Sequence, residues 1–127
     1  MTDPSLAVQV GLYQLLSTAL DCPVYDHVPE DARPPYVVID YEVASNADLL
    51  SQRMDSRLLY LSVWSDYPGQ AEVKRLMAAI GDALHGQRLT IPSGRATQIS
   101  IQRTSTNREP DGRTYQGQVV LRLLTPH

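Results

Sequence analysis

The stretch from Arg53 to Ser65 limits what this chain can become more than any other, because it alternates like a strand yet is apolar on both sides. Leu59, Leu61 and Val63 fall on one face, and Leu58, Tyr60, Ser62 and Trp64 fall on the other. Such a strand needs cover on both faces. Its sheet either lies between two layers of its own molecule or leaves one face for a partner.

Three more segments share the period of two. After Pro34-Pro35, the residues Val37, Ile39, Tyr41 and Val43 alternate with Val38, Asp40 and Glu42. Thr97, Ile99 and Ile101 mark a third strand. Tyr115, Val119, Leu121 and Leu123 share one face of the last strand, with Val120, Arg122 and Leu124 opposite. Between these two strands, Glu109-Pro110-Asp111-Gly112 places Pro and Gly where a type I turn wants them.

Two segments carry a helical period instead. Asp3 can cap a first helix with Pro4 at its first position, and Leu6, Val10, Tyr13 and Leu20 form its stripe, widened by Leu12, Leu16 and Ala19. Asp21-Cys22-Pro23 ends it, and Val24-Tyr25 is a short extended piece before a polar turn. Residues 70–85 form the second helix, with Val73, Leu76, Met77, Ile80 and Leu84 on one side and Gly86 as its stop. The order helix, strand, strand, helix, strand, strand predicts a single α+β domain over 1–127: a mainly antiparallel four-stranded sheet with two helices packed on one face.

On that arrangement the second sheet face, with Val38, Leu58, Tyr60, Trp64, Val120 and Leu124, stays open to a partner; one helix on each face would instead make it ordinary core. The connection over 44–52 is polar but holds Leu49 and Leu50. It is longer and more apolar than a hairpin needs, which suggests an arm that orders against a neighbour.

Signs of chemistry are sparse. There is no GxxxxGK or GxGxxG loop, and His27, His85 and His127 lack the spacing of metal ligands. Asp40 and Glu42 share a strand face and could form an acid–base pair, although such pairs more often line a solvated edge. No serine lies in a nucleophile elbow. Cys22, the only cysteine, reads as a small apolar filler rather than a reactive thiol. These residues predict no enzyme, no metal and no cofactor. The start lacks a signal-peptide pattern and no apolar run is long enough to span a membrane, which predicts a protein made in the cytoplasm.

The net charge of −3 is unevenly spread: residues 1–86 carry twelve acids and five bases, and residues 87–127 carry six arginines and two acids. Arg95, Arg103, Arg108 and Arg113 gather near the last hairpin and its approach, but no aromatic residues interleave with them as a base-stacking platform would require. Sequence-specific nucleic-acid binding is therefore not expected. Oppositely charged parts of one chain suit a protomer whose one side complements another copy, though a plain mixed-charge surface gives the same composition.

Pro35-Tyr36-Val37-Val38-Ile39 after its proline-rich turn, and Leu59-Tyr60-Leu61-Ser62-Val63-Trp64-Ser65 followed by the second helix, resemble the tail completion proteins of long-tailed phages and gene transfer agents, also called tail terminators or head–tail joining proteins. The resemblance implies a structural protein of the virion neck. It would form a ring, typically of six copies, on the head-proximal end of the tail tube, stop the tube's growth and dock the head connector while DNA passes through the lumen. The interface residues expected on this reading are Leu49, Leu50, Leu58, Tyr60, Trp64, Arg103, Arg108 and Arg113. Another neck or tube component, or a small cytoplasmic ligand-binding or regulatory domain, are the alternatives.

Overall fold

The computed structural model describes residues 4–48, 50, 53–90 and 96–126. Its elements run α1 (Ser5–Ala19), β1 (Val24–Tyr25), β2 (Tyr36–Asn46), β3 (Met54–Ser65), α2 (Ala71–Leu84), β4 (Arg88–Thr90), β5 (Ala96–Arg108) and β6 (Tyr115–Pro126). They build one six-stranded sheet in the order β1-β2-β3-β6-β5-β4. The four-stranded expectation is thus overturned. Val24-Tyr25 joins the sheet as β1, parallel to β2, and β4, with no period long enough to detect, pairs with β5. The sheet is mixed, with four long antiparallel strands at its centre and a short strand on each flank.

The core lies between the helices and one face of this sheet. Leu59, Leu61 and Val63 of β3 meet Val119, Leu121 and Leu123 of β6, Val37 and Ile39 of β2 and Ile99 of β5, beneath Val8, Leu12 and Leu16 of α1 and Leu76, Ile80 and Leu84 of α2. The phase of α1 differs from its expected stripe: Leu6, Val10 and Tyr13 stand in solvent and Val8, Leu12 and Leu16 are fully buried. The helix is apolar nearly all round, so its periodicity alone could not choose the buried side.

α2 sits close to β6 at Gly117. A Cβ built there would come within 2.6 Å of Met77 Sδ and of Val73 Cγ1, so only glycine lets the helix dock at this height.

Two register shifts govern what the sheet shows on its other side. One lies between Ile39 and Tyr41 on β2, the other between Ile101 and Arg103 on β5. Each adds one residue and turns the rest of its strand over. Val37 and Ile39 therefore enter the core, while Tyr41 and Val43 oppose Tyr60 and Leu58 on the far face, against the expectation that all four share one side. Asp40 and Glu42, expected side by side, are also separated. Asp40 accepts a hydrogen bond from Ser62, and Glu42 turns to the helix side.

There Glu42 meets Arg57, a charged side chain that is 1% exposed. Arg57 donates from Nη1 to Glu42 Oε1 at 2.8 Å, from Nη2 to Asp55 Oδ2 at 3.0 Å and from Nε to Thr125 Oγ1 at 2.8 Å. Ser5 at the start of α1 donates to Glu42 Oε1 at 2.6 Å. This cluster ties the first turn of α1 to β2, β3 and β6.

The β2–β3 ladder continues to Asn46↔Asp55, so part of the connection expected over 44–52 is strand. Asp48 shapes the turn: its N–H donates to Asn46 Oδ1 at 2.7 Å and its Oδ1 accepts from Met54 N at 2.9 Å. In the β5–β6 hairpin, Gly112 N bonds to Glu109 O at 2.9 Å with φ +71° at Gly112, and Asp111 accepts from the backbone N–H groups of Arg113 and Thr114.

Those backbone bonds, followed by the Thr114 hydroxyl, hold the Asp111 carboxyl below its ordinary value of 3.8. The unfolded chain therefore takes up the proton first. The contribution of Asp111 is present above the ordinary carboxylate pKa and fades as pH falls through the folded one. The melting-temperature difference between wild type and Asp111→Ala should accordingly be flat at neutral pH and shrink below about pH 4 in a thermal melt series.

Candidate assembly surface

The face turned away from the helices is where sequence and structure point together. The register sets its side chains in rows across the four long strands. Tyr41, Tyr60, Val120 and Arg103 form one row, Val43, Leu58, Arg122 and Ser100 the next, and Tyr36, Trp64, Gln116 and Asn107 another. Tyr41 and Tyr60 stack with ring centroids 4.3 Å apart and planes 12° from parallel. Tyr36 meets Tyr25 edge-on at 5.6 Å. Tyr41 is 54% exposed, and Val43 and Leu124 are also exposed. A polar relay crosses the same face, Gln116 Nε2 donating to Ser62 Oγ at 3.1 Å and Ser62 donating to Asp40.

Of the residues singled out from sequence, Leu58, Tyr60, Trp64 and Arg103 lie on this face, the first three half-buried and Arg103 exposed. Arg108 pairs with Tyr115 at the far end of β5 and holds its guanidinium 5.7 Å from that ring's centroid, on the helix side. Arg113 is in the β5–β6 turn. Leu50 is fully exposed in the β2–β3 connection, and Leu49 lies outside the described residues. The structure therefore gathers four of these residues, sets Arg108 and Arg113 at one end of the sheet, and leaves Leu50 apart.

Sequence reasoning missed Tyr41 and Val43, which the shift at Asp40 adds to the open face. It also missed a second apolar stripe, Leu6, Val10 and Tyr13 on the outer side of α1, the first of them 72% exposed. No short-range signal marks the bulge. The α1 stripe was legible but had been assigned to the core.

Among the described residues no group of three or more His, Cys, Asp or Glu could hold a metal ion. His85 accepts the Ile101 N–H through Nδ1 at 3.0 Å, a structural bond beside the β5 bulge. Cys22 is half-buried against the core, and burial, with Asp21 second, pushes its thiol pKa above the ordinary value. That favours the protonated, unreactive form. No helix of the described residues is long and apolar enough to cross a membrane.

A chain of the virion of a native gene transfer agent particle has the same fold: it matches with a TM-score of 0.87 over 100% of both chains, at 25% sequence identity. No curated protein matches the chain. The family model of the tail completion protein gp17 matches residues 6–125, from the first turn of α1 to the end of β6. The strand and helix pattern that suggested such proteins is thus carried by nearly the whole molecule, and the chain belongs to the tail completion protein gp17 family.

Proposed function

We propose that this protein is a structural component of a phage-type tail that assembles into a ring, six copies being the expected number, at the head-proximal end of the tail tube. There it ends tube polymerisation and joins the tail to the head connector, with DNA passing through the lumen and no base being read. The observation that carries this reading is the sheet face turned away from the helices, where Tyr41, Val43 and Leu124 are exposed and Leu58, Tyr60 and Trp64 half-buried, although Val38 and Val120 on the same face are already buried within the protomer. Family membership and whole-length likeness to a virion component support the tail role. A ring contact joins two different patches of the same chain, which the acidic N-terminal part and the arginines of the last hairpin suit.

Truncating the open face should therefore harm assembly more than folding. Trp64→Ala and Tyr60→Ala are each expected to weaken self-association by about 2 kcal/mol, roughly 30-fold, as removal of a buried aromatic anchor does. Sedimentation velocity against a urea melt of the same variant separates the two effects. Variants that assemble normally but melt early would place both residues in the protomer core alone.

The charge on the last hairpin gives a second check. Association should weaken as salt rises, because exposed charges are screened beyond about 8–10 Å at physiological ionic strength. Arg113→Glu should lower the assembled fraction several-fold in low salt. Intact rings with impaired DNA retention would put Arg113 in the lumen instead.

A further inference from the structure

The sheet is left unfinished at both sides, and at opposite ends. β1 pairs with β2 only at Val24↔Val37 and Tyr25↔Val38. β4 covers β5 only from Arg88↔Gln98 to Thr90↔Ala96, after which Gly86, Gln87 and His85 bond Ile99 and Ile101. Among the described residues no strand pairs with the outer edge of β2 over 40–46 or of β5 over 102–108. Neither run contains a proline, and such edges are templates for another strand.

We infer that these two edges pair with each other between copies: residues 40–46 of β2 in one protomer add antiparallel to residues 102–108 of β5 in the next, so that the sheet continues around the ring. The inference rests on the ring proposed above and specifies its seam.

Strand direction permits it. β2 and β3, β3 and β6, and β6 and β5 are each antiparallel, so β2 and β5 run in opposite directions within a protomer. Rotation about a ring axis lying along the sheet preserves those directions, which brings β2 of one copy antiparallel to β5 of the next. Pairing β2 with β2 would need a two-fold axis and would leave the β5 edge bare.

Charge favours this occupant too. β2 carries Asp40, besides the Glu42 already held by Arg57, and no base, whereas β5 carries Arg103 and Arg108 and no acid. Space allows it as well. Lys74, Met77 and Ala78 of α2 and Thr104 and Thr106 of β5 line a groove beside the free edge, on the side where β2 presents Glu42 and Ala44. The open face also reaches the seam, since Tyr41, stacked on Tyr60, stands on the pairing strand.

The stagger of the two edges fixes a register. Val43 lies level with Ser100 in its own protomer, through Leu58 and Arg122. Centring one free run on the other sets Val43 against the neighbour's Ser105, which the bulge in β5 leaves four ladder steps from Ser100, a slide of about 14 Å at ~3.4 Å per residue. The repeat along the seam is four strands, about 19 Å wide at ~4.8 Å each. The strands must then tilt by roughly 36° to the ring axis, within the ~35–45° usual for closed sheets. Sliding two residues either way gives roughly 20° or 47° and leaves that range. The register also keeps face parity, with Tyr41, Val43 and Ser45 meeting Asn107, Ser105 and Arg103.

The test is a disulfide across the seam. In a Cys22→Ser background, Val43→Cys with Ser105→Cys should give, on oxidation of the assembled protein, a ladder of covalent multimers on a denaturing gel. Within one protomer the two positions are separated by β3 and β6, roughly 14 Å across and 14 Å along the strands, too far for an internal bridge. Either single variant should remain monomeric on the gel. Native mass and amide exchange of the unaltered chain are read in parallel, and exchange over 40–46 and 102–108 should slow at least tenfold on assembly. A ring of normal native mass with no ladder and unchanged exchange at both edges would overturn the seam and leave the ring reading standing. If the double variant fails to assemble, exchange in the unaltered ring decides by the same criterion. No ring under any condition would overturn both.

Discussion

Arg57→Met is expected to destabilise the protomer by about 3–5 kcal/mol, the usual cost of removing one partner from a buried ion pair. The side chain is 1% exposed and binds Glu42, Asp55 and Thr125 at 2.8–3.0 Å, so its loss strands two carboxylates that solvent reaches poorly. Methionine fills much of the same volume, which separates the charge effect from a simple cavity. For a domain of this size the melting temperature should fall by roughly 10–20 °C, at about 4 °C per kcal/mol. Adding Glu42→Gln and Asp55→Asn to Arg57→Met should restore part of the loss, since neutral amides are cheaper to leave in place than charges. A drop below about 1 kcal/mol, within the range of an exposed pair, would show that water reaches the cluster. Because Ser5 bonds Glu42, the start of α1 should also show faster amide exchange in the variant.

Gly117→Val should be the most harmful change by overpacking on the sheet's helix side. The first added carbon alone would approach Met77 and Val73 to 2.6 Å, and valine adds two more. β6 cannot retreat, because it lies between β3 and β5, so α2 must move. Overpacking of this kind costs about 1–3 kcal/mol and occasionally more, and the upper end is expected here because two side chains clash at once. Val73→Ala in the Gly117→Ala background should recover stability, because it removes one of the two clashing groups. Urea melts of the single and double variants measure this coupling directly. Additive effects would mean that α2 does not rest on Gly117.

The sequence showed plainly which segments form the long strands and the second helix, because their periods are long and unbroken. It did not show where each strand's sides lead after a bulge. Tyr41 and Val43 obey the alternation begun at Val37, but one extra residue at Asp40 sends them to the opposite face. A single added residue leaves no mark in composition or period. The short flanking strands were hidden for another reason: two residues of β1 and three of β4 hold their place through pairing, and so few residues cannot display a period.

Arg57 is the instructive case, since its signal was present. It stands in phase with Leu59, Leu61 and Val63, so the alternation itself assigned a charged residue to the core face. A charge at such a position calls for an acidic partner, and Glu42 supplies one once the bulge has turned β2 over. Leu58, Tyr60 and Trp64 were legible as a second apolar face because β3 is apolar on both sides. Arg108 was legible only as charge, and its position above Tyr115 follows from the β5–β6 register.

Native mass spectrometry of the purified protein, alone and with tail tubes, tests the central claim most directly. The account predicts a closed ring with a mass that is a whole multiple of 14.1 kDa, six-fold being the expected stoichiometry, and a smaller ring population in Tyr60→Ala and at high salt. A protein that stays at 14.1 kDa at every concentration, with and without tubes, would contradict it.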